Sequence, residues 1–281
     1  MMPVSEKIKH ITLFTKRLMR VNLFGHARSL VKGSGLEFDQ LRDYQIGDDV
    51  RALDWNSSAR MNKLLVKQFN DERHRTLIIA LDISASSFYG TSDVLKQAVL
   101  SQIAALISYA GFLGKDEVGL ILFSDHVECY IPTRKGKAHI QIVLEKIFSA
   151  QKKNCSTSLI SALDHIIKLR KKNAMVFLIS DFIDEGFEQK LSLCAQLCDV
   201  VAIRMLDNAE RNFPVSGLIT VKDSETGDLR VINSRSIAAT LQDRAEHQKK
   251  IFNRHRVAVL DITSDVQLLE QLILFFRIRN K

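Results

Sequence analysis

Five oxygen-bearing side chains carry the clearest chemical signal in this sequence. Asp82, Ser84 and Ser86 stand in the spacing Asp-x-Ser-x-Ser directly after the apolar run at residues 77–81. Thr157 precedes a segment of helical period, and Asp181 follows a second apolar run at residues 175–179. Side chains of this kind supply hard oxygen donors, the chemistry that Mg²⁺ requires for its near-octahedral, partly hydrated shell. Ser and Asp in such loops also bond to nearby backbone and cap helices. The triplet alone therefore decides little; the convergence of Thr157 and Asp181 on the same place turns the reading toward a cation.

That convergence depends on the elements carrying the five residues. From Thr76 onward, short β-rich apolar runs alternate with helical-period segments, the pattern of a parallel sheet with helices on both faces. Strands are predicted at 77–81, 118–123, 127–131, 175–179, 200–205 and 257–260, with a tight turn at 124–126. Helices are predicted at 94–113, around Ile140 to Phe148, around Leu159 to Ile167, at 187–197 and at 236–254. A hairpin is expected from 218–221 and 229–232. A last helix, carrying Val266, Leu269, Leu272, Ile273 and Phe276, opens on the capping pair Ser264 and Gln267. The fold class that follows is α/β, a doubly wound, mostly parallel sheet of Rossmann type over residues 76–281. Asp82 and Asp181 then both lie at the carboxyl edge, where open α/β sheets bind ligands. Residues 1–75 read as a separate small lobe: a basic amphipathic helix at 5–24, then a polar stretch with few long apolar runs.

Composition narrows the classes. The chain has 281 residues, 46% of them hydrophobic and 26% charged, and only 3 Pro and 12 Gly, so a folded globular protein without a long low-complexity tail is expected. The most apolar segment, 94–113, is interrupted by Lys96, Gln97, Gln102 and Ser108, which suits a packed helix and not a membrane span. The start of the sequence lacks the apolar core and cleavage site of a secretory signal, so a cytoplasmic location is expected. Cys129, Cys155, Cys194 and Cys198 are too scattered for a disulfide framework; Cys194 and Cys198 share one helical face and read as core thiols. The formal charge of +8 invites a nucleic-acid reading. The basic residues are spread along the chain, however, and the denser groups (Lys168 to Lys172, Arg73 to Arg75, and Arg277, Arg279 and Lys281) suit helix ends and solvated faces.

The order Asp-x-Ser-x-Ser, then Thr, then Asp after an apolar strand resembles the metal-ion-dependent adhesion site of von Willebrand factor A domains. This likeness implies that Asp82, Ser84, Ser86, Thr157 and Asp181 ligate Mg²⁺ (or Mn²⁺) directly or through water, leaving one position for an acidic residue of a partner protein. The loop at 154–156 reads Asn-Cys-Ser where related domains often carry glycines, and Ser156 is an alternative ligand to Thr157. The stretch 33–60 (GSGLEFDQLRDYQIGDDVRALDWNSSAR), followed by Leu65, Val66, Lys67, Gln68 and Phe69, is similar to the signature of the domain-of-unknown-function 58 family. Such proteins are commonly encoded beside MoxR-type AAA+ ATPases, which implies work with that ATPase or its client in chaperone-like or complex-assembly roles. Read physically, Arg42, Asp43, Tyr44, Asp48, Asp49, Arg51, Asp54, Trp55 and Arg60 offer a dense set of polar partners beside one aromatic anchor.

The expectation is a protein-interaction module, not an enzyme. Two other classes stay open. One is a metal-dependent hydrolase using Asp82 and Asp181, with Ser84 or Ser86 beside His126 as a remote triad candidate. The other is a nucleic-acid-binding protein, resting on the basic balance and on Lys7, Lys9, Lys16, Arg17 and Arg20 of the first helix. No phosphate-binding loop and no zinc spacing among the eight histidines occur.

Overall fold

The computed structural model describes residues 6, 8, 37–70, 75–84, 96–150, 157–206, 217–222, 229–263 and 268–279. The described residues fall into two compact units, one built from 37–70 and one from residues 6 and 8 with those of 75–279.

In the smaller unit, strands β1 (Glu37–Asp43) and β2 (Leu65–Asn70) pair antiparallel. Between them lie a 3₁₀ turn (Val50–Ala52) and helix α1 (Trp55–Met61). Each has an aspartate cap: Asp49 accepts from the Arg51 N–H at 2.9 Å and Asp54 from the Ser57 N–H at 3.3 Å. Arg42 donates to both oxygens of Asp48, each at 2.6 Å, and this hydrogen-bonded guanidinium holds the Asp48 carboxyl down at about 2. The polar residues do organise this unit, but not around an aromatic anchor: Trp55, at the start of α1, is 64% exposed, whereas Leu53, Leu65 and Val66 are buried. Neither strand was anticipated, since both are short and half polar and carry no alternation long enough to be read.

The larger unit begins with β3 (Thr76–Asp82), α2 (Lys96–Leu113), β4 (Glu117–Phe123), β5 (Val127–Arg134), α3 (Lys137–Ser149) and α4 (Leu159–Lys168). It continues with β6 (Met175–Ser180), α5 (Glu188–Leu197), β7 (Asp199–Leu206), the hairpin β8 (Leu218–Lys222) and β9 (Leu229–Asn233), α6 (Ser234–Arg254), β10 (Ala258–Thr263) and α7 (Leu268–Arg279). The central sheet runs β10-β7-β6-β3-β4-β5, and only β5 is antiparallel to its neighbour. This is a mixed α/β fold with a mostly parallel sheet, as the alternation of runs predicts.

The strands are apolar throughout because both faces are covered. Ile78, Ala80, Ile121, Phe123, Val176, Leu178, Val200 and Ala202 share one face with Leu159, Leu163 and Ile166 of α4, Leu191 of α5 and Phe252 of α6. The intervening residues, among them Leu77, Ile79, Leu120, Phe177 and Val201, are equally buried on the other face. There α2 lies so close that a Cβ at Gly111 would stand 2.3 Å from Leu77 Cδ1, and Phe276 of α7 meets Phe177 edge-on at 6.0 Å. Gly111→Val is expected to lower stability by about 1–3 kcal/mol through overpacking, read as a lower urea midpoint at unchanged slope.

The expected elements shift slightly. β5 extends past Ile131 to Arg134 across Pro132, which an edge strand tolerates because one side makes no ladder bonds. Helix α6 starts at Ser234, directly after β9, and β10 runs to Thr263. The expected helix at 5–24, apart from residues 6 and 8, lies outside the described residues; so do Ser86, residues 94 and 95, Cys155, Ser156 and the Ser264–Gln267 cap. Among the described residues no helix is long and apolar enough to cross a membrane.

Candidate metal centre

The chain leaves the carboxyl ends of β3 and β6 in opposite directions across the sheet, β3 leading to β4 on one side and β6 to β7 on the other. Open α/β sheets form their ligand crevice at such a switch point. Leu81 pairs with Ile179, so the last residues of the two strands, Asp82 and Ser180, stand side by side, and Asp181 follows at once. Thr157 arrives from the α4 side. Its neighbours are tied down by Ser158 N–H donating to the Ser124 carbonyl and Leu159 N–H donating to Asp184 Oδ2, both at 2.7 Å.

The side chains meet. Ser180 Oγ donates to Asp82 Oδ2 at 2.6 Å, the Ser84 N–H donates to Asp82 Oδ1 at 2.8 Å, and Thr157 Oγ1 donates to Ser84 Oγ at 2.7 Å. The Ile183 N–H donates to Asp181 Oδ1 at 3.1 Å. Asp82, Ser84 and Ser180 are wholly buried, and Asp181 and Thr157 nearly so. Of the five expected ligands the structure thus gathers Asp82, Ser84, Thr157 and Asp181, while Ser86 lies outside the described residues.

Burial, and after it the negative charge of Asp181, pushes the Asp82 carboxyl up to about 7, against smaller opposing effects of the hydrogen bonds from Ser180 and Ser84. Two carboxylates of like sign in a closed pocket are unfavourable unless a proton or a cation sits with them. Asp82, Asp181, Ser84, Ser180 and Thr157 offer hydroxyl and carboxylate oxygens here, and such a set fits a hard divalent ion.

Ser180 was missed as a site residue because a serine after a strand reads as a simple terminator; its role depends on register with Asp82. Arg204, inside the predicted strand 200–205, was missed as well. It is 5% exposed, pairs with both oxygens of Asp261 at 2.8 and 2.9 Å and donates to Gln248 Oε1 at 2.5 Å. Register places Ser180 opposite Arg204 and Arg204 opposite Asp261, so the apolar face of the sheet ends in one polar row, Asp82, Ser180, Arg204 and Asp261.

Of the remote triad candidate, Ser84 is bonded to Thr157, whereas His126 Nδ1 lies 2.6 Å from Asp125 Oδ1 and its Nε2 lies 3.6 Å from Glu128 Oε2; Ser86 lies outside the described residues. Asp125 and His126 are exposed and Glu128 is half-buried, and ion pairs within this group account for its closeness. A surface cleft at the amino ends of the strands, lined by Cys198, Asp199, Arg254 and Arg256, lies far from these carboxylates along the sheet. Cys194 and Cys198 are buried free thiols, as expected.

Residues 40–251 match the family model described as "Protein of unknown function DUF58". The chain is 26% identical over 285 residues to the uncharacterized protein Mb1516 of Mycobacterium bovis, covering 98% of this chain and 89% of that protein. It is 30% identical over 79 residues to the uncharacterized protein YeaD of Bacillus subtilis, covering 27% and 20%. Among solved structures it is similar to the conserved hypothetical protein BatB of Bacteroides thetaiotaomicron, at 14% identity and a TM-score of 0.46 over 73% of this chain and 98% of that one.

Proposed function

The chain belongs to the DUF58 family, and from that premise we propose that its α/β unit is a von Willebrand factor A-like interaction module whose bound divalent cation receives an acidic residue of a partner protein. One observation carries the reading: the buried Asp82 carboxylate beside Asp181, with Ser84 and Thr157 hydroxyls bonded next to them at the switch point of the sheet. Asp82, Ser84, Ser86, Thr157 and Asp181 would hold Mg²⁺ or Mn²⁺, with Ser156 as the alternative to Thr157. Mg²⁺ is favoured on availability alone. When bound, the cation supplies a coordination position for a partner carboxylate. The chain's part is to fix the oxygens and exclude water: Ser180 and the Ser84 N–H orient Asp82, and the Ile183 N–H orients Asp181.

The partner suggested by the family resemblance is a MoxR-type AAA+ ATPase or its client, and the module works as a binding protein, not an enzyme. Binding of the purified MoxR-type ATPase from the same genome tests this, by surface plasmon resonance in Mg²⁺. Asp82→Ala and Asp181→Ala are expected to weaken binding more than tenfold with unchanged circular dichroism. Variants are the better control here, because a chelator would also strip the ATPase of its own Mg²⁺ and nucleotide. Equal binding by both variants would place the contact elsewhere, and steeply salt-dependent binding to arbitrary DNA would favour a nucleic-acid role.

A further inference from the structure

We propose that Gln248 of α6 is a positioning residue of this metal centre, holding Asp181 in ligating position through the backbone carbonyl of Phe182; the inference rests on the metal-site reading above. Phe182 follows Asp181 directly and has a φ of 57°, a left-handed conformation that side chains other than glycine rarely adopt. Such a conformation persists where the surroundings over-determine it. Here they do so on every side. The Phe182 N–H donates to Ser180 Oγ at 3.1 Å, and the Phe182 carbonyl accepts from Gln248 Nε2 at 2.6 Å. The wholly buried ring packs on Phe252 of α6 at 5.1 Å and on Phe187 at 6.2 Å.

The Gln248 amide has one possible orientation. Arg204 has donors and no acceptor, so the atom facing it must be the amide oxygen, and the amide NH₂ is then turned to Phe182. Arg204 is fixed in turn by both oxygens of Asp261 on β10. Gln248 itself is only 6% exposed. A continuous hydrogen-bonded chain therefore runs from β10 through β7 and α6 to the Phe182–Ile183 peptide, one residue beyond Asp181. The same peptide segment carries the Ile183 N–H that orients the Asp181 carboxylate. Loosening the Phe182 carbonyl would loosen the ligand before it. Groups that orient metal ligands in this way typically change metal affinity by 10–100-fold when removed.

A purely structural Gln248, needed only to satisfy the buried Arg204, would behave differently, and two substitutions separate the roles. Gln248→Glu keeps an acceptor for Arg204 and the side-chain volume but loses the donor to Phe182; Gln248→Met loses both bonds. Mn²⁺ affinity is measured by calorimetry for wild type and both variants, with urea melts confirming that each is folded under the conditions used. The expected result is a 10–100-fold weaker Kd for both variants. Wild-type affinity in Gln248→Glu, whatever Gln248→Met does, would overturn the proposal, since satisfying Arg204 would then suffice. Wild type that binds no Mn²⁺ would overturn the metal reading itself, an outcome distinct from variants that match a binding wild type.

Discussion

Asp82→Asn is expected to make the metal-free protein more stable at pH 8, by several kcal/mol. In the folded protein the Asp82 carboxyl keeps its proton up to about pH 7, whereas its ordinary value is 3.8. Between those limits the folded state binds more protons than the unfolded one, so stability falls as pH rises. The contribution is fully present below about pH 4 and is lost as pH passes 7, at about 1.4 kcal/mol per pH unit. An amide reproduces the neutral acid: it accepts the Ser84 N–H on its oxygen and offers its NH₂ to Ser180 Oγ, which has lone pairs to receive it. Urea melts in EDTA at pH 4.5 and pH 8 read the difference directly. The two proteins should differ by only about 1 kcal/mol at the lower pH and by clearly more at the higher one, the titrating groups that do not interact with Asp82 cancelling in the comparison. Wild type as stable as Asp82→Asn at pH 8 would mean that the buried carboxylate carries no penalty. A residue whose removal stabilises the fold is one retained for another purpose.

Mg²⁺ or Mn²⁺ should narrow that gap by stabilising wild type alone. A ligand present at a hundredfold over its Kd stabilises the folded state by about 2.7 kcal/mol, which for a domain of 150–250 residues is roughly 5–10 °C in Tm. The shift should grow between pH 6 and pH 8, because below about 7 the cation must displace the Asp82 proton. In Asp82→Asn, which lacks the carboxylate, Tm should hardly respond. Differential scanning fluorimetry across a Mg²⁺ series at three pH values measures both effects. A Tm rise of equal size in wild type and variant would assign the cation to some other site, such as the group at Asp125, His126 and Glu128.

The parts of this arrangement that the residues announce are those encoded locally. The runs at 77–81 and 175–179 are apolar without interruption because both faces of β3 and β6 are covered, and the polar residue that ends each run marks the sheet edge. That was enough to bring Asp82 and Asp181 to one place. Ser84 and Thr157 followed from spacing and from likeness to a known site. What stayed hidden depends on pairing between distant segments. Ser180 acts through register with Asp82, and Arg204 through register with Asp261, 57 residues further on. Within the sequence Arg204 is one charge in the apolar run 200–205, with nothing nearby to show that it joins a polar row across the sheet. Phe182 and Gln248 are more hidden still: neither a left-handed phenylalanine nor a glutamine on a largely polar helix has a local signature. In the smaller unit, β1 and β2 escaped because short strands with polar faces lack periodic contrast, and Trp55 misled because an aromatic in a charged stretch reads as buried when it is not.

Isothermal titration of wild type and Asp82→Ala with Mg²⁺ and Mn²⁺ at pH 8, both proteins shown to be folded by circular dichroism, tests the central claim most directly. Saturable binding at one site in wild type, lost in Asp82→Ala, is the expected result. A folded wild type that takes up neither ion, or an Asp82→Ala variant that binds as well as wild type, would contradict a cation centre built on Asp82 and Asp181.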